Sequence, residues 1–510
     1  MMAEKTIAAT LALLCMYGFF KDMRPAVPFL TPFLRSDLKN YTAEEVDNEI
    51  YPLLSYSWMG FLLLVLLISD FVRYKPVLVV GGASYVATSV LWLWGERLEV
   101  MQIAQVVYGL ATATETVYFS YIYVIVEEDQ YKKATGYVRS TTLFGQFLAS
   151  SISQLVITFD KNDYLLLNYI TLGSVSLSFL ISIFLPLSKK SLMSQRPLVE
   201  HDTTESQTEP CRGYDERGVN MGTPDSYLFD GNQESHRKQV FDTTRNPGTE
   251  ERCNIESGDH KMAPDIRDTL EDTHCACAKN DDEIVGSARP FTSRFKQFFQ
   301  DLKTCYSDRK LIVWSLWWAL ATCGNNLEVT NVQNLWYAIE PASSNGGLYN
   351  GIAEALTTLL GALVSFSVGY MKLNWSVFGE LTLGVMSAVE AILLVAMATT
   401  NNIWVCYGCG ILFKTSYYML ITVASFQVAR LLSVGRYALV FGCNNLLALV
   451  LQAVIVAIVV DRDTLNTGIR AQFLIYGGYF YMLAVIFLFK AVYTLTVNGW
   501  SDSWAKRWED

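Results

Sequence analysis

The 510-residue sequence predicts an all-α membrane protein with twelve transmembrane helices in two six-helix halves. Three observations predict this class. Apolar runs of about 20 residues, the length at which a helix crosses a bilayer, recur along the chain. Six runs precede one long hydrophilic segment, and six follow it. The runs are continuously apolar, whereas transmembrane strands would show alternating apolar and polar residues over about ten positions.

The start of each apolar run places the predicted spans. In the first half the runs begin near Thr6, Tyr51, Pro76, Met101, Tyr137 and Leu165. In the second half they begin near Leu311, Leu348, Val377, Ile403, Tyr437 and Gln472. We therefore expect an N-terminal half at 1–190, a linker at 191–309, a C-terminal half at 310–496 and a tail at 497–510.

The hydrophilic linker carries the negative charge of the chain. Residues 197–289 contain 21 acidic and 10 basic side chains, whereas the whole chain has a formal charge of −10. This polar, charged composition is typical of disorder. The sequence His274–Cys277 offers metal-ligand types, but no second half of a site follows it, so an unstructured loop is favoured. We expect no metal, no other cofactor and no nucleic acid partner.

Lysine and arginine near the ends of the spans predict the orientation, because loops rich in these residues stay in the cytoplasm. With cytoplasmic N- and C-termini, the cytoplasmic loops hold the larger share, including Lys132, Lys133 and Arg139. The sequon Asn40-Tyr41-Thr42 then falls outside, where N-glycosylation occurs. The linker and the tail are therefore predicted to be cytoplasmic.

The first span is unusual for a membrane helix. It carries Lys21, Asp22 and Arg24, and prolines follow at positions 25, 28 and 32. Broken backbone at membrane depth is tolerated only where protein or water satisfies the freed groups. We therefore predict a broken, cavity-lining helix whose charges act in gating or proton coupling.

Polar residues inside the spans predict one shared aqueous cavity. In span four, Gln105, Tyr108, Thr112 and Glu115 have the spacing of a single helical face. The polar run around Glu328 predicts a locally irregular helix in span seven. The remaining positions assigned to the cavity are Gln146, Thr330, Glu354, Lys414 and Gln452. The alternative at each polar amide or hydroxyl is a hydrogen bond between neighbouring helices, at about 0.6 kcal/mol.

Ionisable groups at membrane depth favour a cationic substrate, a proton-coupled step, or both. The acids are Asp22, Glu115, Glu328, Glu354 and Glu390, and the bases are Lys21, Arg24 and Lys414. Glu390 lacks polar neighbours on its helix, and we assign it to a peripheral crevice.

Two six-helix halves joined by a long linker are the plan of major-facilitator transporters, whose substrate site lies at the interface between the halves near mid-membrane. The sequence Ser69–Pro76, SDFVRYKP, resembles the acidic and basic loop between helices two and three of that superfamily.

Nine stretches resemble solute carrier family 19, the reduced-folate and thiamine transporters. They are RPAVPFLTPFL, NEIYP, DFVRYKPV, YIYVIV, WSLWWAL, LYNG, FGELTL, RYALVFG and QFLIYGGYF. The resemblance extends over essentially all twelve spans and fails only in the linker. It implies a major-facilitator fold, a location in the plasma membrane and a vitamin carried by alternating access.

The resemblance also ranks the substrates. Folate carriers bind a dianion with basic residues at positions that match Glu115, Lys414 and Gln452, and only one of these is basic here. A dianion facing Glu115 would be repelled. Thiamine carriers share acids at the positions of Glu115 and Glu354. Thiamine or a related cation therefore ranks first, folate second, and another small vitamin or organic cation third.

The match to thiamine carriers is incomplete. Val27 and Gln105 stand where those carriers have acids, although Glu328 is an extra acid. We expect Tyr51 and Tyr108 to supply cation–π surfaces. Gln105 and Gln146 are expected to hydrogen-bond a pyrimidine-like ring.

A function of another class stays open, a vitamin receptor that binds without transport. An enzyme is disfavoured, because the sequence shows no nucleophile–base arrangement, metal set or phosphate loop. The expected partners are a small vitamin and the lipid bilayer, and a monomer is compatible with the sequence.

Overall fold

The computed structural model describes residues 2–42, 44–72, 74–159, 163–186, 291–340, 349–432, 436–459 and 467–497. Helices and short loops make up these residues, which confirms the predicted all-α class. Most of the predicted linker, with the sequence His274–Cys277, and the predicted tail from residue 498 lie outside the described residues.

The first half contains the six predicted spans. Its helices are α1 (Met2–Asp22), α2 (Leu30–Arg35), α3 (Tyr51–Val72), α4 (Tyr74–Trp94), α5 (Leu98–Ala113), α6 (Glu115–Ile125), α7 (Tyr131–Phe159) and α8 (Tyr164–Phe184). Asp163 caps α8, since its Oδ1 accepts a hydrogen bond from the Leu166 amide at 2.9 Å.

The second half begins with a helix that the sequence did not predict. It comprises α9 (Phe291–Cys305), α10 (Arg309–Ile339), α11 (Asn350–Val368), α12 (Trp375–Thr399), α13 (Ile403–Arg430), α14 (Tyr437–Val459) and α15 (Ile469–Val497). Helix α9 lies inside the segment predicted to be an unstructured linker. Side-chain oxygens of Asp308 and Asn402 cap α10 and α13 at 2.8 and 2.9 Å.

Among the described residues, ten helices are long and apolar enough to cross a membrane. Spans four and seven fall short by this measure, and these are the spans with the polar faces. Span four is divided at Thr114 into segments of 16 and 11 residues. Span seven, α10, is a continuous helix of 31 residues. The predicted irregularity in span seven is therefore wrong, and the interruption lies in span four.

The first span is broken where its charges and prolines predict a break. Helix α1 ends at Asp22, a short 3-10 turn covers Val27–Phe29, and α2 completes the span. Proline has no amide hydrogen and cannot continue the hydrogen-bond ladder of α1. Lys21 thus lies in the last turn of α1, directly before non-helical backbone.

Helices α7 and α11, and helices α3 and α14, pack together across the two halves. Gly136 permits the close approach of α7 and α11, since a Cβ there would lie 2.9 Å from the carbonyl oxygen of Ser365.

Three of the hydrogen bonds between the described residues of the two halves lie near one end of the bundle. We call the end at which α8 ends and α10 begins the linker face. Near it, the hydroxyls of Tyr131 and Tyr437 lie 2.8 Å apart, and those of Tyr137 and Tyr370 lie 2.6 Å apart. Lys132 also donates to the Met371 carbonyl at 3.0 Å. The halves are therefore joined at the linker face.

Candidate functional site

A polar cavity of about 260 Å³ lies between the two halves. Most of its wall comes from α1, α5, α6 and α7, and Tyr418 of α13 contributes from the second half. Its lining residues are Lys21, Asp22, Arg24, Tyr108, Thr112, Glu115, Phe119, Arg139, Thr142, Leu143, Gln146 and Tyr418. A larger space of about 370 Å³ beside α10, α14 and α15 has mostly aliphatic walls and offers no charged group. The polar cavity is therefore the candidate site.

Four charged side chains form one network in this cavity. The Lys21 ammonium donates to Glu115 Oε1 at 2.7 Å and lies 3.0 Å from Asp22 Oδ2. Arg24 donates to Asp22 Oδ1 at 3.1 Å and to the Tyr108 hydroxyl at 3.1 Å. Two cations thus face two carboxylates, and their formal charges cancel. Because each cation is paired with a carboxylate, the four charged groups can be buried together between the helices.

Tyr85 of α4 completes the network, although no pattern in the sequence selects it. Its hydroxyl donates to Glu115 Oε1 at 2.6 Å, and the Arg24 guanidinium lies 4.7 Å from the centre of its ring. Tyr85 is 3% exposed, and a buried tyrosine hydroxyl usually has a hydrogen-bond partner. The need of a buried tyrosine for a hydrogen-bond partner could have drawn attention to Tyr85, but it does not identify Glu115 as that partner.

Arg139 lines the cavity, so its assignment to a cytoplasmic loop is wrong. Helix α7 begins at Tyr131, so Arg139 lies inside the helix and not in the loop that precedes it. Its guanidinium donates to Ser425 Oγ of α13 at 3.1 Å and lies 4.7 Å from the centre of the Phe119 ring. Among the described residues no carboxylate pairs with it.

The acidic surplus expected at membrane depth is therefore smaller than the sequence suggested, because Arg139 joins the bases. The cavity itself is lined by Lys21, Arg24 and Arg139 against Asp22 and Glu115.

The second half holds a separate set of charges. Lys414 of α13 donates to Glu354 Oε2 of α11 at 3.2 Å, and the Glu354 side chain is 35% exposed. Glu328 of α10 is 1% exposed, and its Oε2 has no hydrogen-bond partner within the described part of the chain. Lys414 and Glu354 are both close enough to Glu328 to act on it electrostatically.

Several predicted residues lie away from the cavity. Gln105 is 1% exposed, and neither of its amide atoms has a hydrogen-bond partner among the described residues. Tyr51 packs with the α2 segment, and its hydroxyl lies 2.5 Å from that of Thr31. Thr330 is exposed and donates to the Asn326 carbonyl at 2.8 Å. The predicted face of span four therefore reaches the cavity only from Tyr108 onward.

Two further predicted residues have their own surroundings. Gln452 is half-buried in α14, outside the cavity lining. Glu390 is 0% exposed, and neither carboxyl oxygen has a hydrogen-bond partner in the described chain. The expected peripheral crevice at Glu390 is therefore wrong, since the side chain is enclosed by the helices of the second half.

The sequon loop is exposed at the end of the bundle opposite the linker face. Asn40 is exposed with a positive φ of 61°, and its neighbour Thr42 forms a capping box with Glu45. The hydrogen bonds from the Thr42 backbone and side chain lower the pKa of the Glu45 carboxyl. The amide of Asn40 therefore stands on an ordered, accessible loop.

Comparison with known proteins identifies the family. Residues 5–475 match the family model described as reduced folate carrier. The chain belongs to the reduced folate carrier family. Within it, thiamine transporter 2 of Macaca fascicularis is 41% identical over 95% of this chain and 90% of that protein. The reduced folate transporter of Homo sapiens is 33% identical over 94% of this chain and 71% of its own length.

The fold of this reduced folate carrier family member is also that of the major facilitator superfamily. The structure of the proton:xylose symporter XylE, a member of that superfamily, matches with a TM-score of 0.56 at 12% identity, over 96% of both chains. The resemblance inferred from the nine sequence stretches and the predicted fold are both confirmed. The protein is a multi-pass membrane protein of a transporter family, which is not enzymatic.

Proposed function

We propose that the protein carries thiamine, or a closely related organic cation, across the plasma membrane by alternating access between its halves. The observation that carries the proposal is the cavity-facing carboxylate of Glu115. Its Oε1 is held by Lys21 and Tyr85, while its side chain remains 30% exposed in the polar cavity. The higher identity to a thiamine transporter than to the reduced folate transporter supports the same substrate.

The proposed contacts use residues that line the cavity or adjoin it. Glu115 and Glu354 supply negative potential, and Gln146 supplies a hydrogen-bonding amide for the pyrimidine ring. Tyr108 supplies the cation–π surface, and Arg24 now lies 5.5 Å from the centre of its ring. Tyr51, Gln105, Thr330 and Gln452 lie outside the cavity in this conformation, and we assign them no direct contact in it.

We assign the conformation to the outward-facing state. The positive-inside pattern predicts a cytoplasmic linker face, and three of the hydrogen bonds that join the halves lie near this face. In this orientation Asn40 is extracellular and is the proposed glycosylation site. Rocking of the halves would break the linker-face contacts and open the cavity to the cytoplasm.

Glu328 is the proposed proton-coupling residue. Its buried Oε2 has no hydrogen-bond partner among the described residues, and the charges of Lys414 and Glu354 act on it. When Glu328 is ionised it balances one positive charge in the bundle, and when it is protonated it balances none. Binding of a cation is therefore linked to release of the Glu328 proton.

Organic anion transport is the second candidate, and Arg139 is the observation that favours it. This cation lines the cavity with a serine hydroxyl rather than a carboxylate as its partner, and the reduced folate transporter is a relative at 33% identity. Glu115 argues against a dianion in the same cavity.

Uptake by cells that express the chain tests these candidates. Each cell should take up more molecules of labelled thiamine than it has copies of the protein, and unlabelled thiamine should reduce this uptake. Accumulation of labelled reduced folate without thiamine would establish the anion candidate instead. Saturation at the copy number would indicate a receptor that binds without transport.

A further inference from the structure

Both carboxylates assigned to the cationic substrate already hold a lysine. Lys21 donates to Glu115 at 2.7 Å in the first half, and Lys414 donates to Glu354 at 3.2 Å in the second. Both carboxylates are partly exposed, with side-chain exposures of 30% and 35%, whereas Lys21 and Lys414 are only 2% and 8% exposed. Each ammonium therefore approaches its carboxylate from the protein side.

Each lysine also lies near a second carboxylate, one oxygen of which has no hydrogen-bond donor among the described residues. Asp22 Oδ2 is buried without a donor in the described chain, although the Lys21 ammonium is only 3.0 Å away. Glu328 Oε2 is likewise buried without a donor, and Lys414 acts on it electrostatically. A buried acceptor without a donor is costly, so each site favours an arriving ammonium.

From this repeated arrangement we propose that Lys21 and Lys414 are internal counter-cations that compete with the substrate for Glu115 and Glu354. Without substrate, each lysine neutralises a partly exposed carboxylate that would otherwise stand unpaired in a low-dielectric site. When a cationic substrate binds, each ammonium transfers its hydrogen bond to Asp22 or Glu328.

The broken first span suits the displacement of Lys21. This residue lies in the last turn of α1, where the partial negative charge of the helix end stabilises a cation. The backbone after Asp22 is not helical, so the turn can readjust without breaking a continuous helix. The displaced ammonium therefore stays paired as it moves.

The exchange makes Lys21 and Lys414 specificity-determining residues, and this role rests on the proposed transport of a cation. A cation replaces the ammonium it displaces, whereas a neutral molecule of the same shape would leave the carboxylate without a counter-charge. The lysines therefore lower the affinity for every ligand and lower it most for neutral ones.

The decisive variant removes the competitor without changing the net charge of the network. In Lys21→Gln with Asp22→Asn, Arg24 and Glu115 remain and their charges still cancel. We expect the KM for thiamine uptake to fall by about fivefold, because Glu115 no longer has to release an ammonium. An unchanged or higher KM would overturn the exchange.

Two single variants separate competition from simple electrostatics. Asp22→Asn alone removes the receiving carboxylate and should raise the KM, because Lys21 then has only Glu115 as a partner. Lys21→Arg keeps the charge and should not reproduce the lower KM of the double variant. A lower KM in either single variant would contradict the exchange.

Lys414→Gln with Glu328→Gln is the matched pair in the second half and should also lower the KM. Surface abundance and the melting temperature of the purified full chain report folding for every variant. If the unmodified chain shows no saturable thiamine uptake, the proposed function fails. If it does, and the charge-neutral double variant has an unchanged KM, only the exchange fails.

Discussion

At the scale of single residues, Glu115 is the centre of the candidate site. One of its oxygens accepts hydrogen bonds from Lys21 on α1 and Tyr85 on α4, which fixes the orientation of the carboxylate. Its spacing from Tyr108 on span four predicted that it faces a cavity. Its partners lie on other helices, at 94 and 30 residues along the chain, and no local pattern identifies them.

Glu115→Gln should raise the KM for thiamine about tenfold or more, since ~1.4 kcal/mol of lost attraction corresponds to a factor of ten. The measurement is initial uptake over a range of concentrations, normalised to surface protein. Glu390→Gln is the matched control, because it neutralises a carboxylate that is buried away from the cavity. Equal KM values for the Glu115 variant and the unmodified chain would remove Glu115 from the site.

Tyr85→Phe should raise the KM for thiamine by about fivefold, because it removes the hydrogen bond that orients the Glu115 carboxylate, and one such bond contributes ~1 kcal/mol. The variant keeps the ring beside Arg24 and removes only the hydroxyl that donates to Glu115. In the background of Glu115→Gln the same change should have a smaller effect, as a double-mutant cycle would measure. Additive effects in that cycle would show that Tyr85 acts independently of Glu115.

At the scale of helices, the linker face holds the halves together through α7 and the start of α14. The Tyr131 hydroxyl donates to the Tyr123 carbonyl at 3.1 Å, which leaves Tyr437 as the donor in the contact between the halves. The neighbouring Arg436 pairs with Asp301 of α9 at 2.7 Å. Helix α9 is therefore tied to the same end of α14 that closes the linker face.

Tyr437→Phe should shift the protein toward the inward-facing state by about fivefold, the effect of ~1 kcal/mol lost from the closed linker face. A cysteine placed at Gln146, in the cavity, should react more slowly with a membrane-impermeant thiol reagent added outside. The unmodified chain gives the background, since Cys15, Cys409 and Cys443 are partly exposed. Faster labelling in Tyr437→Phe would contradict the role of this contact in keeping the linker face closed.

At the scale of the whole molecule, charge balance links the two halves. The described groups of the two sites are Lys21, Arg24, Arg139 and Lys414 against Asp22, Glu115, Glu328 and Glu354. With Glu328 ionised, these formal charges cancel, and with Glu328 protonated they sum to one positive charge. A bound cation is therefore better accommodated when Glu328 has lost its proton.

Uptake of thiamine should therefore increase as the external pH rises, and Glu328→Gln should abolish most of this dependence. The sign follows from the charge balance, because deprotonated Glu328 compensates the positive charge of the substrate. Initial uptake between pH 5.5 and pH 8 measures the effect, an interval chosen around the ordinary range of cellular pH. Glu390→Gln should keep the pH profile of the unmodified chain, and an identical profile in Glu328→Gln would exclude Glu328 as the coupling residue.

The all-α class, the two halves, the break in the first span and the family could be predicted from the sequence, because these depend on apolar run length, local composition and motifs. The sequence also selected Lys21, Asp22, Arg24, Tyr108, Glu115 and Gln146 as cavity residues, since charges and polar faces at membrane depth are costly. The sequence did not predict Arg139 as a cavity residue, because the ends of a helix depend on its packing against neighbouring helices and not on hydropathy alone.

The hydrogen-bond partners of the cavity residues depend on how the helices pack together. The pairing of Lys21 with Glu115, the hydroxyl of Tyr85 and the contact from Arg139 to Ser425 all join different helices. Packing over the whole length of two helices sets which of their faces meet, and the sequence of one helix does not specify the contacting face of the other. For the same reason Gln105 shares a predicted face with Tyr108, Thr112 and Glu115 and yet does not line the cavity.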